Sequence, residues 1–248
     1  AALAQAREAG VSSLHWLFVN EEDRERLRRA GLFERTGYQF HWQNRGWADF
    51  DDFLGSLSAK KRKNIRRERR LVRDAGVDLE LHSGLEMDDH LWARFYNFYR
   101  ATFSRKSGIP TLSLEFFRAI GESLGSRVLV VLARRGSGYI AGALMLRSAR
   151  VLYGRHWGAI ERVDGLHFEA CYYLGLEYCL AHGLERFEPG AQGEFKISRG
   201  FLPTPTWSCH WLAHPEFHAA IDRHTRQESE FVEEYMADLG ARSPYRQC

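Results

Sequence analysis

The sequence predicts an α/β (α+β) protein built on a mixed, mostly antiparallel sheet flanked by helices, and three observations carry that reading. Residues 127–133, 139–147 and 151–157 are apolar runs joined by a Gly136-Ser137-Gly138 turn and a tight turn at 148–150, the pattern of an antiparallel meander. Residues 168–182 are apolar almost all round, as a helix buried against a sheet must be. The rest of the chain alternates segments of helical and strand period.

Taken in order, residues 1–10 read as a helix ending at Gly10, 13–19 as a strand, 21–30 as a helix closed by Gly31, and 38–43 as a strand. Four elements make a thin sheet for a separate domain, so they read as the back half of a subdomain. Ser58 is placed to N-cap a helix through about 74, with Gly76 just past its end. Ile65, Val72 and Ala75, with Leu71 adjacent, form its narrow apolar stripe, while Arg62, Arg66, Arg69, Arg70 and Arg73 recur on other faces. After a strand at 77–82, Asp88 or Asp89 caps a helix whose Trp92, Phe95, Tyr96, Tyr99 and Phe103 share one face and belong in a core. A helix at 114–124 leads into the meander and then the buried helix, which Gly183 ends. Strands at 186–188 and 206–213 flank a glycine-rich segment. Pro215 then opens a C-terminal helix that runs to about 239, with Gly240 as its stop.

Composition bounds the function. At 248 residues and 44% hydrophobic content the chain can bury a real core, and no run approaches the roughly 20 apolar residues of a membrane span. Four cysteines, at 171, 179, 209 and 248, fit neither zinc-knuckle spacing nor a dense disulfide framework, so a reducing cytoplasm is the expected compartment. The first residue is not Met, which leaves room for a preceding segment. The net charge of +3 hides a local device: residues 60–73 hold nine Lys or Arg and one Glu. Cations crowded on one helix repel each other, so an anionic partner is a reason to keep them, against the blander reading of a solvated charged face.

The most informative stretch is Glu188-Pro189-Gly190-Ala191-Gln192-Gly193-Glu194-Phe195-Lys196-Ile197-Ser198-Arg199-Gly200-Phe201. Glycines let backbone approach a ligand closely, and a lysine and an arginine framed by carboxylates can bind or polarise an anionic or carbonyl-bearing group. The segment reads as the floor of an active site, with Lys196 its first candidate against the alternative of a solvated loop lysine. Glu188, at a strand end, reads either as an acceptor for a proton or as a partner of Arg199 or Arg155. Arg155 and His156 alternate on the last meander strand, so only one of them is expected to face a ligand. His167 reads chiefly as a cap for the buried helix, and Glu169 as compensation for its dipole. His210, His214 and His218 are four apart, but His210 lies in a strand, so no metal site is expected. Cys171 and Cys179 read as core residues.

The order of meander, helix, strand, loop and strand, with a helical pair ahead of it, resembles the GNAT acyltransferase fold. In GNAT enzymes a loop of type Arg/Gln-x-x-Gly-x-Gly/Ala before the buried helix cradles the pyrophosphate of coenzyme A. Here that junction reads Arg162-Val163-Asp164-Gly165-Leu166-His167, with histidine in place of the last small residue and acids at Glu161 and Asp164. Both changes turn against coenzyme A. Lys61-Arg62-Lys63-Asn64-Ile65-Arg66-Arg67, the Gly76-Val77 after that helix, and Phe195-Lys196 followed by Gly200-Phe201 resemble Fem-type aminoacyltransferases. Closer still, Tyr153-Gly154-Arg155-His156-Trp157-Gly158, His167-Phe168-Glu169-Ala170-Cys171-Tyr172-Tyr173 and the 188–194 motif look like the bacterial FemAB-like family named for peptidoglycan biosynthesis or recognition. The likeness spans roughly residues 36–240.

This resemblance implies an acyl- or aminoacyltransferase that acts on an amine of a peptidoglycan or cell-envelope precursor, by direct attack and without a covalent enzyme intermediate. It maps a Phe-Lys pair onto Phe195 and Lys196, the lysine stabilising charge on the reacting carbonyl. Residues 1–56 are then the remnant of an N-terminal GNAT-like subdomain and 57–248 the C-terminal acyltransferase domain. No cofactor is firmly implied, and acyl-coenzyme A or aminoacyl-tRNA is expected as donor substrate. The expected catalytic set is Lys196, Glu188, Phe195, Arg155 and His156. Substrate is expected at Arg62, Lys63, Arg66, Arg70, Gly190, Gln192, Gly193, Glu194, Arg199 and His167. The expected partners are tRNA or a nucleotide-linked or lipid-linked precursor, the last implying peripheral proximity to a membrane. The rival readings are an acyl-coenzyme A N-acetyltransferase on a small amine and a non-catalytic module holding RNA or a phosphorylated glycan.

Overall fold

The computed structural model describes residues 1–104, 108–191 and 193–246. The chain divides into two compact units: residues 1–40, 191–197 and 202–243 form the first, and 41–190, 198–201 and 244–248 the second. This is not a cut after residue 56. The difference has a simple cause, since the N-terminal strands pair with a strand that follows residue 201.

In the first unit β1 (Ser13–Val19) pairs antiparallel with β8 (Leu202–Leu212), and the order is β1-β8-β2, where β2 is Phe33–Gln43. α1 (Ala2–Glu8) and α2 (Glu21–Arg29) contribute Leu3, Ala6 and Leu27 to a small core with Cys209 and Trp211 of β8. Asn20 caps α2 by accepting from the Asp23 N–H at 2.8 Å. α9 (Pro215–Ala241) packs on β8. Gly240 sits in its last turn rather than stopping it, and β8 begins four residues earlier than its alternation suggests.

In the second unit the end of β2 pairs with β7 (Arg186–Glu188), followed in order by β6 (Val151–Ala159), β5 (Gly138–Arg147), β4 (Val128–Arg135) and β3 (Val77–Ser83). Every pairing there is antiparallel except β6 with β7. α5 (Asp89–Ser104) and α6 (Leu114–Leu124) cover one face, where Phe95, Phe98 and Phe117 meet Val128, Val130, Leu132 and Leu144. α4 (Ala59–Asp74) serves the other face, where Val72 and Leu166 join Ala133, Ile140 and Ala141. With both faces covered, β4 is apolar and buried from Val128 to Ala133, before Arg134 and Arg135 at its end. Asp88 caps α5 through the Leu91 N–H at 2.8 Å. Ser58 occupies the N-cap of α4 without a side-chain bond. The short α3 (Phe50–Ser56), capped by Asp49, has no counterpart in the sequence reading, because seven residues carry too little periodicity.

The buried helix is composite. α7 (Leu166–Phe168) leads into a π-helical turn, Glu169–Tyr173, and then α8 (Leu174–Ala181). Its N-cap is Gly165 with φ +86°, where a Cβ would lie 2.7 Å from the Glu68 carbonyl oxygen of α4. The glycine lets the two helices touch. Among the described residues no helix is long and apolar enough to cross a membrane.

Candidate active site

β6 and β7 run parallel only from Val151 with Arg186 to Tyr153 with Glu188. Beyond that register the strands part, for reasons visible in their residues. Pro189 has no N–H to continue the ladder. On the other side of β6, Met145 pairs with Gly154 and Leu144 with His156, so Arg155 is the extra residue of a β-bulge. Gly154 lies against the Pro189 backbone, where a Cβ would come within 3.1 Å of the Pro189 Cα. The opening is a slot of about 100 Å³ lined among others by Arg155, His156, Trp157, His167, Cys171 and Tyr172.

The bulge breaks the strict alternation expected of Arg155 and His156, and both line the slot. Arg155 is exposed, its guanidinium 5.2 Å from the centroid of the Tyr153 ring. The His156 ring meets Tyr99 and Phe117 edge-on at 5.0 and 5.8 Å. Burial there, with the nearby Arg155 charge, holds its imidazole below the ordinary value. His156 is thus a neutral base at physiological pH. His167 is not a cap: Gly165 fills that position, and the His167 ring packs 5.3 Å from Trp157 and 5.4 Å from Tyr172. Gly190, at φ +103°, also lines the slot. Burial pushes the Tyr172 phenol well up, so it stays protonated.

Arg199 and Glu188 have partners other than those expected. Arg199 is buried, bonds Glu68 at 2.7 Å and donates to the Tyr173 hydroxyl at 3.0 Å, with its guanidinium 3.5 Å from the centroid of the Phe168 ring. Tyr173 in turn donates to Glu68. Glu188 pairs with Arg186, two residues back, at 2.8 Å, instead of with Arg199 or Arg155. Glu169 is bound by Arg69 at 2.9 Å, and Arg69 also holds Glu177 at 2.6 Å. Burial pushes the Glu169 carboxyl up while the Arg69 guanidinium opposes it. Glu169 is therefore an ion-pair partner, beyond any dipole compensation.

The glycine-rich segment closes into a 3-10 helix, Glu194–Arg199. Lys196 is 2% exposed and Phe195 45%. Glu194 accepts from Tyr235 at 2.6 Å and from Arg242 at 2.7 Å, which hold its carboxyl below the usual range. Gly193, at φ +114°, lies under the Phe195 ring where a side chain would collide. Gln192 lies outside the described residues.

The basic helix divides its cations. Arg62 donates to the Leu54, Gly55 and Leu57 carbonyls at the end of α3, and Arg66 pairs with Asp51 at 3.2 Å. Those two expected substrate contacts are thus engaged within the chain. Lys63, Arg67, Arg70 and Arg73 are exposed and, among the described residues, make no hydrogen bond or ion pair. Arg66, Arg69, Arg70 and Arg73 line a cavity of about 720 Å³. Among the described residues no group of three or more His, Cys, Asp or Glu could hold a metal ion.

Glu68, Tyr173, Tyr172 and Trp157 were not singled out as site residues in the sequence. Two signals pointed to them: a single acid inside a run of nine cations, and tyrosines on an apolar helix, whose buried hydroxyls need partners.

A meander, a parted parallel pair and a helix set behind the parting define a GNAT-type acyltransferase fold. The chain matches the FemAB-like family, described as peptidoglycan biosynthesis/recognition, over residues 1–247, and it belongs to that family. No curated protein matches it by sequence. Among solved structures it is similar to the C-terminal domain of a putative lysylphosphatidylglycerol synthetase from Agrobacterium fabrum, at 11% identity and TM-score 0.65, covering 88% of this chain and 73% of that one. L-PGS from Bacillus licheniformis is similar at 10% identity and TM-score 0.64, covering 89% and 75%. FemX is similar at 11% identity and TM-score 0.61, covering 89% and 78%. At such identities the likeness speaks for the fold.

Proposed function

We propose that this protein transfers an acyl or aminoacyl group from an activated ester to an amine of a peptidoglycan or other cell-envelope precursor, on the cytoplasmic side. The observation that carries the reading is the slot where β6 and β7 part. Parted strands offer main-chain donors and acceptors to an amide-bearing ligand, and Arg155, His156 and His167 stand beside it. The amine nitrogen attacks the ester carbonyl, the new C–N bond forms as the C–O bond breaks, and the departing alkoxide takes a proton. His156, kept neutral by burial, serves as proton acceptor for the attacking amine. Lys196 and Phe195, the pair that the family resemblance maps to this step, are assigned the stabilisation of charge on the developing oxyanion. Glu188, already paired with Arg186, orients rather than accepts.

Membership of the FemAB-like family and the likeness to a putative lysylphosphatidylglycerol synthetase and FemX support an envelope substrate. Charged tRNA is the donor we favour. Glu161 and Asp164 would sit beside a coenzyme A pyrophosphate, whereas Lys63, Arg67, Arg70 and Arg73 present unneutralised charge suited to nucleic-acid or pyrophosphate oxygens. A thermal-shift panel of acyl-coenzyme A, charged tRNA and a nucleotide-linked muropeptide tests this. Stabilisation by the last two is expected. A shift with acyl-coenzyme A alone would replace the donor, and no shift with any of the three would remove the reading.

A further inference from the structure

The first unit contains a cavity of its own, about 730 Å³ in volume, between the sheet strands β1, β2 and β8 and the helix α9. Small-molecule sites run from roughly 300 to 1,000 Å³, mostly apolar with a few placed polar groups, and this cavity has both properties. Phe33 of β2 and Leu212 of β8 form its sheet side, and Phe217 and Ile221 its helix side. The polar groups gather on the strands. His15 and His210 are direct partners in the β1 to β8 register, with their Nδ1 atoms 2.8 Å apart. Their Nε2 atoms reach Ser13 at 3.0 Å and Ser208 at 2.7 Å, and Phe33 lies 5.5 Å from the His210 ring. Two Nδ1 atoms in contact share one hydrogen, so the pair carries at most one positive charge while that bond lasts.

Charge decides what the cavity suits. Arg35 of β2 lines it, but Glu228 of α9 cancels that charge through two bonds of 2.7 Å. The groups left to answer a ligand's charge are imidazoles: His15, His210, and His214 and His224 of the helix side. An imidazole can become positive and never negative, and among the described residues Glu228 is the one acid in the lining. We infer that this cavity binds a compact organic acid, an apolar ring or short chain carrying one carboxylate. Its apolar body lies among Phe33, Leu212, Phe217 and Ile221, and its carboxylate meets the imidazoles. Binding takes up a proton, because an anion beside an imidazole favours the charged form. His210 is the group that gains most: burial, with His15 and Arg35 adding to it, holds its imidazole below the ordinary value. The other groups around it are Arg35 on β2, His214 at the N-cap of α9, and His218, His224 and Glu228 on α9.

Isothermal titration calorimetry of the whole chain with 2-naphthoate and octanoate tests this, with 2-naphthylmethanol as the uncharged counterpart. Between about pH 7.5 and 5.5 a carboxylate stays ionised while histidine titrates. At least one of the acids is expected to bind ~10-fold or more tightly at the lower pH, with net proton uptake read from buffers of different ionisation enthalpy. The alcohol is expected to bind more weakly and without pH dependence. Ile221→Trp, which fills the cavity from its solvent-facing wall, abolishes binding of the acid, and His210→Gln abolishes the pH dependence. Since His210 also joins β1 to β8, Ile221→Trp decides the matter should His210→Gln fail to fold. Binding of neither acid overturns the proposal, as does equal affinity for acid and alcohol, pH-independent binding, or binding that Ile221→Trp leaves unchanged.

Discussion

A guanidinium and a carboxylate taken out of water together decide how Arg199 and Glu68 behave. Each alone would be costly to bury, and the pair persists because the Tyr173 hydroxyl and the Phe168 ring complete its surroundings. Glu68→Gln leaves the guanidinium uncompensated and is expected to lower unfolding stability by about 3 kcal/mol or more, read from denaturant midpoints. His156 gives a pH signature. The unfolded chain takes up a proton there at a higher pH than the folded chain, so this residue's stabilisation is full above about pH 6.5 and is lost as pH falls below it. Melting temperatures of wild type and His156→Gln should therefore converge as the pH is lowered through that range. Parallel curves would show that the imidazole is not held neutral by burial. The residue types at the site were legible in the sequence, but not their partners. Arg199 and Lys196 are three positions apart in one polar loop, and only the fold reveals that Arg199 belongs to a buried ion pair with an acid 131 positions away.

The strands and helices that build the slot were largely legible, because the meander, the aromatic face of α5 and the apolar α7 to α8 segment each bury a face of definite period. The departures that make the slot were not. The bulge at Arg155 adds one residue without changing the apolar pattern, and the π turn at Glu169–Tyr173 keeps the same apolar composition as the helix around it. Gly158 shows how closely these elements sit: a Cβ there would collide with the Phe98 carbonyl of α5, and Thr102 already donates to the Trp157 carbonyl at 2.8 Å. Gly158→Ala should therefore cost about 3 kcal/mol by overpacking, as measured by chemical denaturation, while Gly183→Ala, in open space, should act only through backbone strain at its positive φ. Cys171 offers a reporter for the slot, since it lines the opening whereas Cys179 and Cys209 are buried. Its alkylation, followed by peptide mass spectrometry, should slow when donor is bound. An unchanged rate under saturating donor would place the donor elsewhere.

At the scale of the molecule the sequence suggested where charge would act but not how much would remain free. Of the nine cations in residues 60–73, Arg62, Arg66 and Arg69 are taken up by carbonyls and carboxylates of the protein, so the field toward an anionic partner comes from the remainder. The division into units was hidden for a topological reason: β8 and α9 join residues 1–40 by pairing and packing that span most of the chain, and local periodicity holds no trace of contacts at that separation. The central claim is that an activated ester is attacked at this protein by an amine while Lys196 stabilises the oxyanion. A single-turnover assay, following acyl transfer from charged tRNA to a nucleotide-linked muropeptide by mass spectrometry, tests it in wild type and Lys196→Met. Transfer by wild type, slowed by about 100-fold or more in the variant at an unchanged melting temperature, is the expected result. Equal rates in the two proteins, or binding of both substrates with no transfer by either, would contradict it.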